Sequence, residues 1–259
     1  MTAPPLSPAD IEAIERATLD AVAPQWVDVL EDEAWLLPMD LGTIGRARSA
    51  VPLRHEAPRD TPGKLLQRIE AHYARRSFPV QLRVANLPCF EGLADAMTAC
   101  GYQAAKPTLT QTASTRAMLV PGASAPAQVD AAPDAGWTQV FLGPGFDPVD
   151  GANRVQALSR AGGNLFASVR EGGTTLAAGA ISFGHGWASV HGMRTVQAAR
   201  GRGLAGRVLA GLAQAALDRG HERVFLQVEA GNEPALALYR RAGFTPAWTY
   251  RYWQHPAPG

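Results

Sequence analysis

A run of seven residues, Arg200-Gly201-Arg202-Gly203-Leu204-Ala205-Gly206, has the make-up of a phosphate cradle. Ahead of it lies an apolar stretch, Ala188 to Val196, that reads as a strand. Behind it Leu204, Val208, Leu212 and Ala216 recur at helical spacing. A glycine-rich turn that feeds a helix leaves backbone N–H groups unpaired at the positive end of the helix dipole. Such a turn binds a pyrophosphate through the main chain alone. Arg200 and Arg202, on either side of Gly201, add charge where an anion would rest. Taken by itself, the heptapeptide also fits a plain connection between strand and helix.

Three kinds of phosphate loop compete for this segment. A nucleotide triphosphate loop needs Gly-Lys followed by Ser or Thr, which does not occur here. The dinucleotide pattern G-x-G-x-x-G is met by Gly201, Gly203 and Gly206, with Glu222 or Glu229 as the acid expected about 20 positions later. That fold, however, needs several more parallel strands, and Arg207 to Gly259 has room for only about two further βα units.

The segment resembles instead the acyl-CoA-binding motif of the GNAT acetyltransferases, Arg/Gln-x-x-Gly-x-Gly/Ala, with Arg200, Gly203 and Ala205 at its defining positions. A second stretch extends the likeness. Asn232-Glu233-Pro234-Ala235 followed by Tyr239 and then Gly243-Phe244 is similar to the family's N-x-P-A-x-x-x-Y-x-x-x-G-F, and it follows a strand at Val224 to Glu229. The resemblance covers most of Leu165 to Gln254. It implies a mixed α/β fold with a mostly antiparallel sheet flanked by helices. Acetyl-CoA, as acyl-donor cosubstrate, is expected where two central strands splay apart at the glycine-rich loop, touching Arg200, Gly201, Arg202, Gly203, Leu204, Ala205 and Gly206. By position, backbone N–H groups of Met193, Thr195 and Val196 are expected to hold the pantetheine arm and acyl carbonyl. Tyr239 corresponds to the tyrosine assigned as acid toward the CoA sulfur; it would otherwise be a core aromatic beside Leu236 and Leu238. Asn232 caps a helix, contacts the cofactor, or does both.

Acyl transfer from a thioester needs a neutral amine, a polarised carbonyl and, for the departing thiolate, a proton. The residues offer two candidates for a general base. His191 shares an alternating strand face with Ser189 and Met193, and Glu229 ends the following strand. Two function classes stay open: an acetyl-CoA-dependent N-acetyltransferase acting on a small-molecule or peptide amine in a ternary complex, and a non-catalytic acyl-CoA-binding sensor or scaffold. A retained Tyr239 favours the enzyme, since a binder needs no proton donor beside the sulfur.

The elements that position these residues are legible in outline. Pro148 to Arg160 reads as a helix. Leu165–Arg170, Leu176–Phe183 and Trp187–Val196 read as an antiparallel meander joined by Glu171-Gly172-Gly173 and Gly184-His185-Gly186. Upstream, Gln81 to Tyr102 echoes Phe225 to Phe244, each a strand, a proline-bearing turn, a short helix and Gly-aromatic. The expected organisation is thus two GNAT-like units in tandem: a degenerate one over 1–120, a linker over 121–136, and a catalytic one over 137–259. In the first unit, Glu56 to Thr61 takes the place of the cradle, with acids and a proline that cannot donate an N–H. Its expected role is structural, covering a sheet edge and shaping the acceptor pocket. Trp35, and Arg46 and Arg48 on an expected strand, remain within reach of substrate.

Composition bounds the rest. The chain has 259 residues, 46% of them hydrophobic and 18% charged, which suits two packed units. A net charge of +1 implies no broad affinity for nucleic acid or acidic membrane. Cys89 and Cys100 match no metal spacing, so no metal is expected. Ser7-Pro8-Ala9-Asp10 reads as a helix start rather than a signal peptide, and no segment has the apolar length of a membrane span. These features give a cytoplasmic enzyme, monomer or homodimer, as the expectation.

Overall fold

The computed structural model describes residues 6–119 and 125–256. Helix α1 (Pro8–Val22) leads into strands β1 (Trp26–Leu30), β2 (Trp35–Met39) and β3 (Val51–Pro52). Then come α2 (Pro62–Arg75), β4 (Gln81–Ala85), α3 (Glu91–Ala99) and β5 (Gln103–Ser114). Past residues 120–124 the chain resumes with β6 (Gln128–Asp130), α4 (Ala135–Leu142), α5 (Pro148–Arg160), β7 (Leu165–Glu171), β8 (Thr174–Gly184) and β9 (Trp187–Thr195). It finishes with α6 (Leu204–Asp218), β10 (Arg223–Glu229), α7 (Glu233–Arg241) and β11 (Thr245–Gln254).

Local chemistry sets several of these boundaries. Ser7 and Asp10 form a reciprocal capping box at the start of α1, with Pro8 in the first turn. Asp147 caps α5 by accepting from the N–H groups of Val149 and Asp150. Part of the expected linker is sheet: β6 pairs with β7, and the Ala127 N–H donates to the Arg207 carbonyl at 3.0 Å. Residues 121–124 of that linker lie outside the described residues. Arg46 and Arg48, expected on a strand, instead lie in and just after a 3-10 turn, Gly45–Ala47.

A small sheet has the order β1-β2-β3, and a large one the order β4-β11-β5-β10-β9-β8-β7-β6. Every pairing in the large sheet is antiparallel except β9 with β10. The two halves exchange their last strands. β5, from the first half, lies between β10 and β11, and β11 lies between β5 and β4. The repeat read in the sequence is visible as two parallel contacts at matching places, Ala50 with Leu82 and Val190 with Leu226.

Packing follows the exchange. On one face α6 lays Val208, Leu212 and Ala216 over Val190, Val224 and Leu226. On the other face Trp187 and Phe225 enter a core with Ile14, Leu65, Ile69 and Tyr250. Among the described residues no helix is long and apolar enough to cross a membrane, and no cluster of three or more metal-ligating side chains occurs.

Candidate active site

β9 and β10 pair only as far as Val190 and Leu226, then diverge. The gap opens into a cleft of ≈ 1170 Å³, large enough for a cofactor-sized ligand. The glycine-rich segment forms its rim. Gly201 and Gly203 have φ of 76° and 74°, a left-handed conformation that glycine adopts without strain. Among the described residues nothing accepts from the N–H groups of residues 201–205, which precede or open α6. The Gly206 N–H, by contrast, is taken by the Gly203 carbonyl at 3.0 Å. A Cβ built on Gly201 or Gly203 would meet nothing within 4 Å, so the cradle faces open space. These features fit the pyrophosphate of acetyl-CoA.

The corresponding loop of the first half is already satisfied. The Glu33 carboxylate accepts from the N–H groups of Arg59 and Asp60 at 2.9 and 2.8 Å, occupying the place of an anion. His55, just past β3, packs edge-on against Trp248 and Phe90. Burial, then the Arg83 charge, lowers its pKa to about 4.

A β-bulge re-aims β9. Ala178 faces Arg194 and Ala180 faces His191, so Gly179 stands against two residues. Gly192, at φ 59°, lies against Phe141 and Leu158, while Met193 turns toward Gly179 and the α6 side. The expected common face of Ser189, His191 and Met193 is therefore corrected, with Arg194 in place of Met193. Arg194 lies over the rings of Phe141 and Phe146 at 4.9 and 4.1 Å and pairs with Asp150 at 3.1 Å. The Val196 N–H donates to the Leu176 carbonyl at 2.9 Å, so it is unavailable to a ligand and that expectation falls. By alternation the N–H groups of Met193 and Thr195 point the other way, into the cleft.

Among the other expected residues, Arg200, Leu204, Ala205, Gly206, Glu229, Asn232 and Tyr239 line the cleft. Arg202 does not; its Nη2 donates to both Glu171 carboxylate oxygens at 2.9 and 2.7 Å. Asn232 caps α7 by accepting from the Ala235 N–H at 3.3 Å. Tyr239 is only 6% exposed, and burial alone pushes its pKa up to about 12. The phenol thus stays protonated at neutral pH, as a donor must. His191 is buried, with Nε2 2.8 Å from Ser189 Oγ. Burial first, and the Arg46 guanidinium second, lower its pKa to about 3. A general base works best with a pKa near the working pH, so the structure speaks against His191 in that role. Glu229 is an exposed carboxylate at the splayed end of β10.

Sequence reasoning missed several wall residues. Lys106 and Thr108 of β5 and Gln254 of β11 line the cleft, as do Asp150 and Arg154 of α5. Their signal is nonlocal, since it depends on which strands become neighbours. Neither free cysteine, Cys89 nor the exposed Cys100, lines the cleft.

The family model described as "Probable histone acetyltransferase Rv0428c C-terminal" matches residues 8–253. The "Uncharacterized N-acetyltransferase YobR" of Bacillus subtilis (strain 168) is 25% identical over 251 residues, covering 94% of this chain and 98% of that protein. A mycothiol acetyltransferase of Clavibacter sepedonicus is 54% identical over 46 residues, or 18% of this chain. This relative and its counterpart from Corynebacterium aurimucosum are matched over only 15% and 18% of their own length. Among solved structures, a GCN5-related N-acetyltransferase from Kribbella flavida superposes with a TM-score of 0.70 at 18% identity, covering 99% of this chain and 98% of that one. A tandem GNAT protein from the clavulanic acid biosynthesis pathway gives 0.59 at 16% identity, with 98% of both chains covered.

Proposed function

The chain belongs to this acetyltransferase family and has a GNAT fold, and from that premise we propose that it transfers the acetyl group of acetyl-CoA directly to an amine held in the same cleft. The observation that carries this reading is the divergence of β9 and β10 beside an open glycine cradle, with the Tyr239 phenol on the wall. Nothing observed favours a binding scaffold over an enzyme.

Acetyl-CoA, when bound, supplies a thioester carbonyl and a thiolate leaving group. The N–H groups of residues 201–205 would hold its phosphates, with Arg200 and Arg241 adding charge at the rim. The N–H groups of Met193 and Thr195 would bind the pantetheine arm and polarise the acyl carbonyl. Glu229 would accept the proton that the amine loses as its C–N bond forms. Tyr239 would donate a hydrogen bond to the sulfur as the C–S bond breaks. The absence of a cysteine from the cleft wall supports direct attack over a thiol-bound acyl-enzyme. Alignment of two bound reactants itself contributes several kcal/mol, up to ~7–11 in well-oriented systems.

Free-thiol release from acetyl-CoA, screened against amines, amino acids and peptides, tests the proposal. Amine-dependent release is expected, with kcat lowered by about 10²–10⁴-fold in Glu229→Gln. Failure of the protein to bind acetyl-CoA would sink the reading.

A further inference from the structure

The cleft wall supplied by the first half carries a guanidinium that, among the described residues, touches no carboxylate. Arg46 sits on the turn Gly45–Ala47, which is fixed by the Ser49 hydroxyl donating to the Gly45 carbonyl at 2.7 Å. Close packing against β11 adds to this, because a Cβ on Gly45 would lie 2.8 Å from the Tyr252 ring. From this rigid base Arg46 Nη1 donates to the neutral Gln227 Oε1 at 3.0 Å. Its Nε is buried with no partner at all. Among the described residues no carboxylate lies within ion-pair distance of Arg46, although its charge favours ionised Glu15 through space. Glu15 pairs with Arg83 at 2.6 Å, and Asp150 pairs with Arg154 and Arg194 at 2.6 and 3.1 Å. Arg48, two residues on, donates to the Gly42 carbonyl at 3.3 Å; among the described residues it too has no acidic partner.

A half-buried guanidinium with one neutral acceptor and a sealed, unpartnered N–H gains from an anion at the side it turns to the cleft. Its planar fork suits a carboxylate, which can accept two parallel bonds. The location is informative as well. Arg46 lies on the Gln227 and His191 side of the sheet, away from the glycine cradle, and its charge bears on both His191 and Tyr250. It therefore stands apart from the cradle that would hold the phosphates and is free to meet the acceptor. The cleft as a whole is lined by seven arginine or lysine side chains and two carboxylates. Four of these are matched once acetyl-CoA is bound, Arg200 and Arg241 by its phosphates and Arg154 and Arg194 by Asp150. The remaining Arg46, Arg48 and Lys106 against Glu229 favour a small anion over a lysine-rich tail.

We propose that Arg46, assisted by Arg48, binds a carboxylate on the amine acceptor, so that the acceptor is an amino acid or a similar small carboxylate-bearing amine. This rests on the acetyl-transfer reading above, which holds the amine in this cleft.

The test uses the full chain with amino acids, each paired with its carboxamide, and a lysine-rich peptide. Acids are expected to exceed their amides by about 10- to 100-fold in kcat/KM, the range of one or two charge-assisted hydrogen bonds. Arg46→Gln should shrink that preference to within about threefold while acetyl-CoA affinity, read by calorimetry, stays unchanged. Arg46→Lys, which keeps the charge and loses the fork, should retain part of it, and Arg48→Gln should lose less than Arg46→Gln. Equal use of acid and amide, preference for the peptide, or an Arg46→Gln protein with undiminished selectivity would overturn the assignment. Should nothing turn over, the same pairs are compared in binding to the CoA-loaded protein, where equal affinity also overturns it. A wild type that fails to bind acetyl-CoA instead strikes the transfer reading.

Discussion

Replacing Tyr239 by phenylalanine removes one hydroxyl from the cleft wall and leaves its ring, packed edge-on to Phe244 at 5.7 Å, in place. The size of the effect follows from the burial of the phenol, which pushes its pKa up to about 12. An alkyl thiol such as cysteine titrates near 8.5, so complete proton transfer from this phenol to a thiolate would run uphill by ~5 kcal/mol, at ~1.4 kcal/mol per unit. The hydroxyl then acts chiefly as a hydrogen-bond donor to charge growing on sulfur, a contribution of ~1.5–3 kcal/mol. Loss of that bond corresponds to a fall in kcat of about 10- to 150-fold. The dissociation constant for acetyl-CoA should change by less than about threefold, since a neutral thioester sulfur accepts hydrogen bonds weakly. Stopped-flow thiol release with a saturating acceptor separates kcat from binding, and calorimetry gives the affinity directly. A kcat within twofold of wild type would make Tyr239 a packing residue. A loss beyond about 10³-fold would also refute the argument, because it would require full proton transfer.

Gly203→Asp should weaken acetyl-CoA binding by about 10³-fold, since a charge ~4 Å from a phosphate at an effective dielectric near 20 costs ~4 kcal/mol. The helix should survive with some strain at its left-handed cap, because aspartate is among the residues that visit this conformation and its Cβ meets nothing within 4 Å; calorimetry and far-UV dichroism test both halves of this expectation. His191 and His55 have folded pKa values of about 3 and about 4, below the ordinary 6.5. The unfolded chain therefore takes up protons that the folded chain refuses, and the stability this represents is whole above about pH 6.5 and is lost as pH falls toward 4 and then 3. Urea midpoints should decline across that window, each imidazole contributing at most ~1.4 kcal/mol per pH unit, and His191→Asn should flatten the slope. Expressed together as separate fragments, 1–120 and 121–259 should co-purify and bind acetyl-CoA, whereas 137–259 alone should be insoluble; a soluble, ligand-binding 137–259 would contradict the sheet order.

Much of the second half was legible because its punctuation is local. Asp147-Pro148 opens α5 where the sequence places it, and glycine pairs mark both turns of the meander. The cradle was readable for the same reason, since two left-handed residues there require glycine or a strained substitute. Met193 was misplaced because alternation presumes an unbroken ladder, and one extra residue at Gly192 reverses every side chain after it. Val196 was carried over by position from the resemblance, and adjacent N–H groups of a strand point to opposite sides, so with Thr195 turned one way Val196 bonds Leu176 on the other. The first-half wall was partly foreseen in Arg46 and Arg48, but their turn was taken for a strand. Lys106 and Thr108 were missed outright, because strand order rests on pairings between distant parts of the chain. The cost of burying His191 was equally invisible, for it depends on which side chains close over that strand.

The exchange of β5 and β11 has a consequence for how the molecule is made. Gln81 and Gln254, joined side chain to side chain at 2.6 Å, lie 173 positions apart in the chain. During synthesis β4 and β5 emerge early, yet they do not pair with one another; within the large sheet each waits for strands from the chain's final third. Until β10 and β11 leave the ribosome, β5 presents unpaired backbone on both edges, the state in which strands find wrong partners. Such nonlocal closure is slow, so the nascent chain passes through a long aggregation-exposed interval. A stop codon ahead of Thr245 would then disable the first half as thoroughly as the second, although every residue of that half had been made.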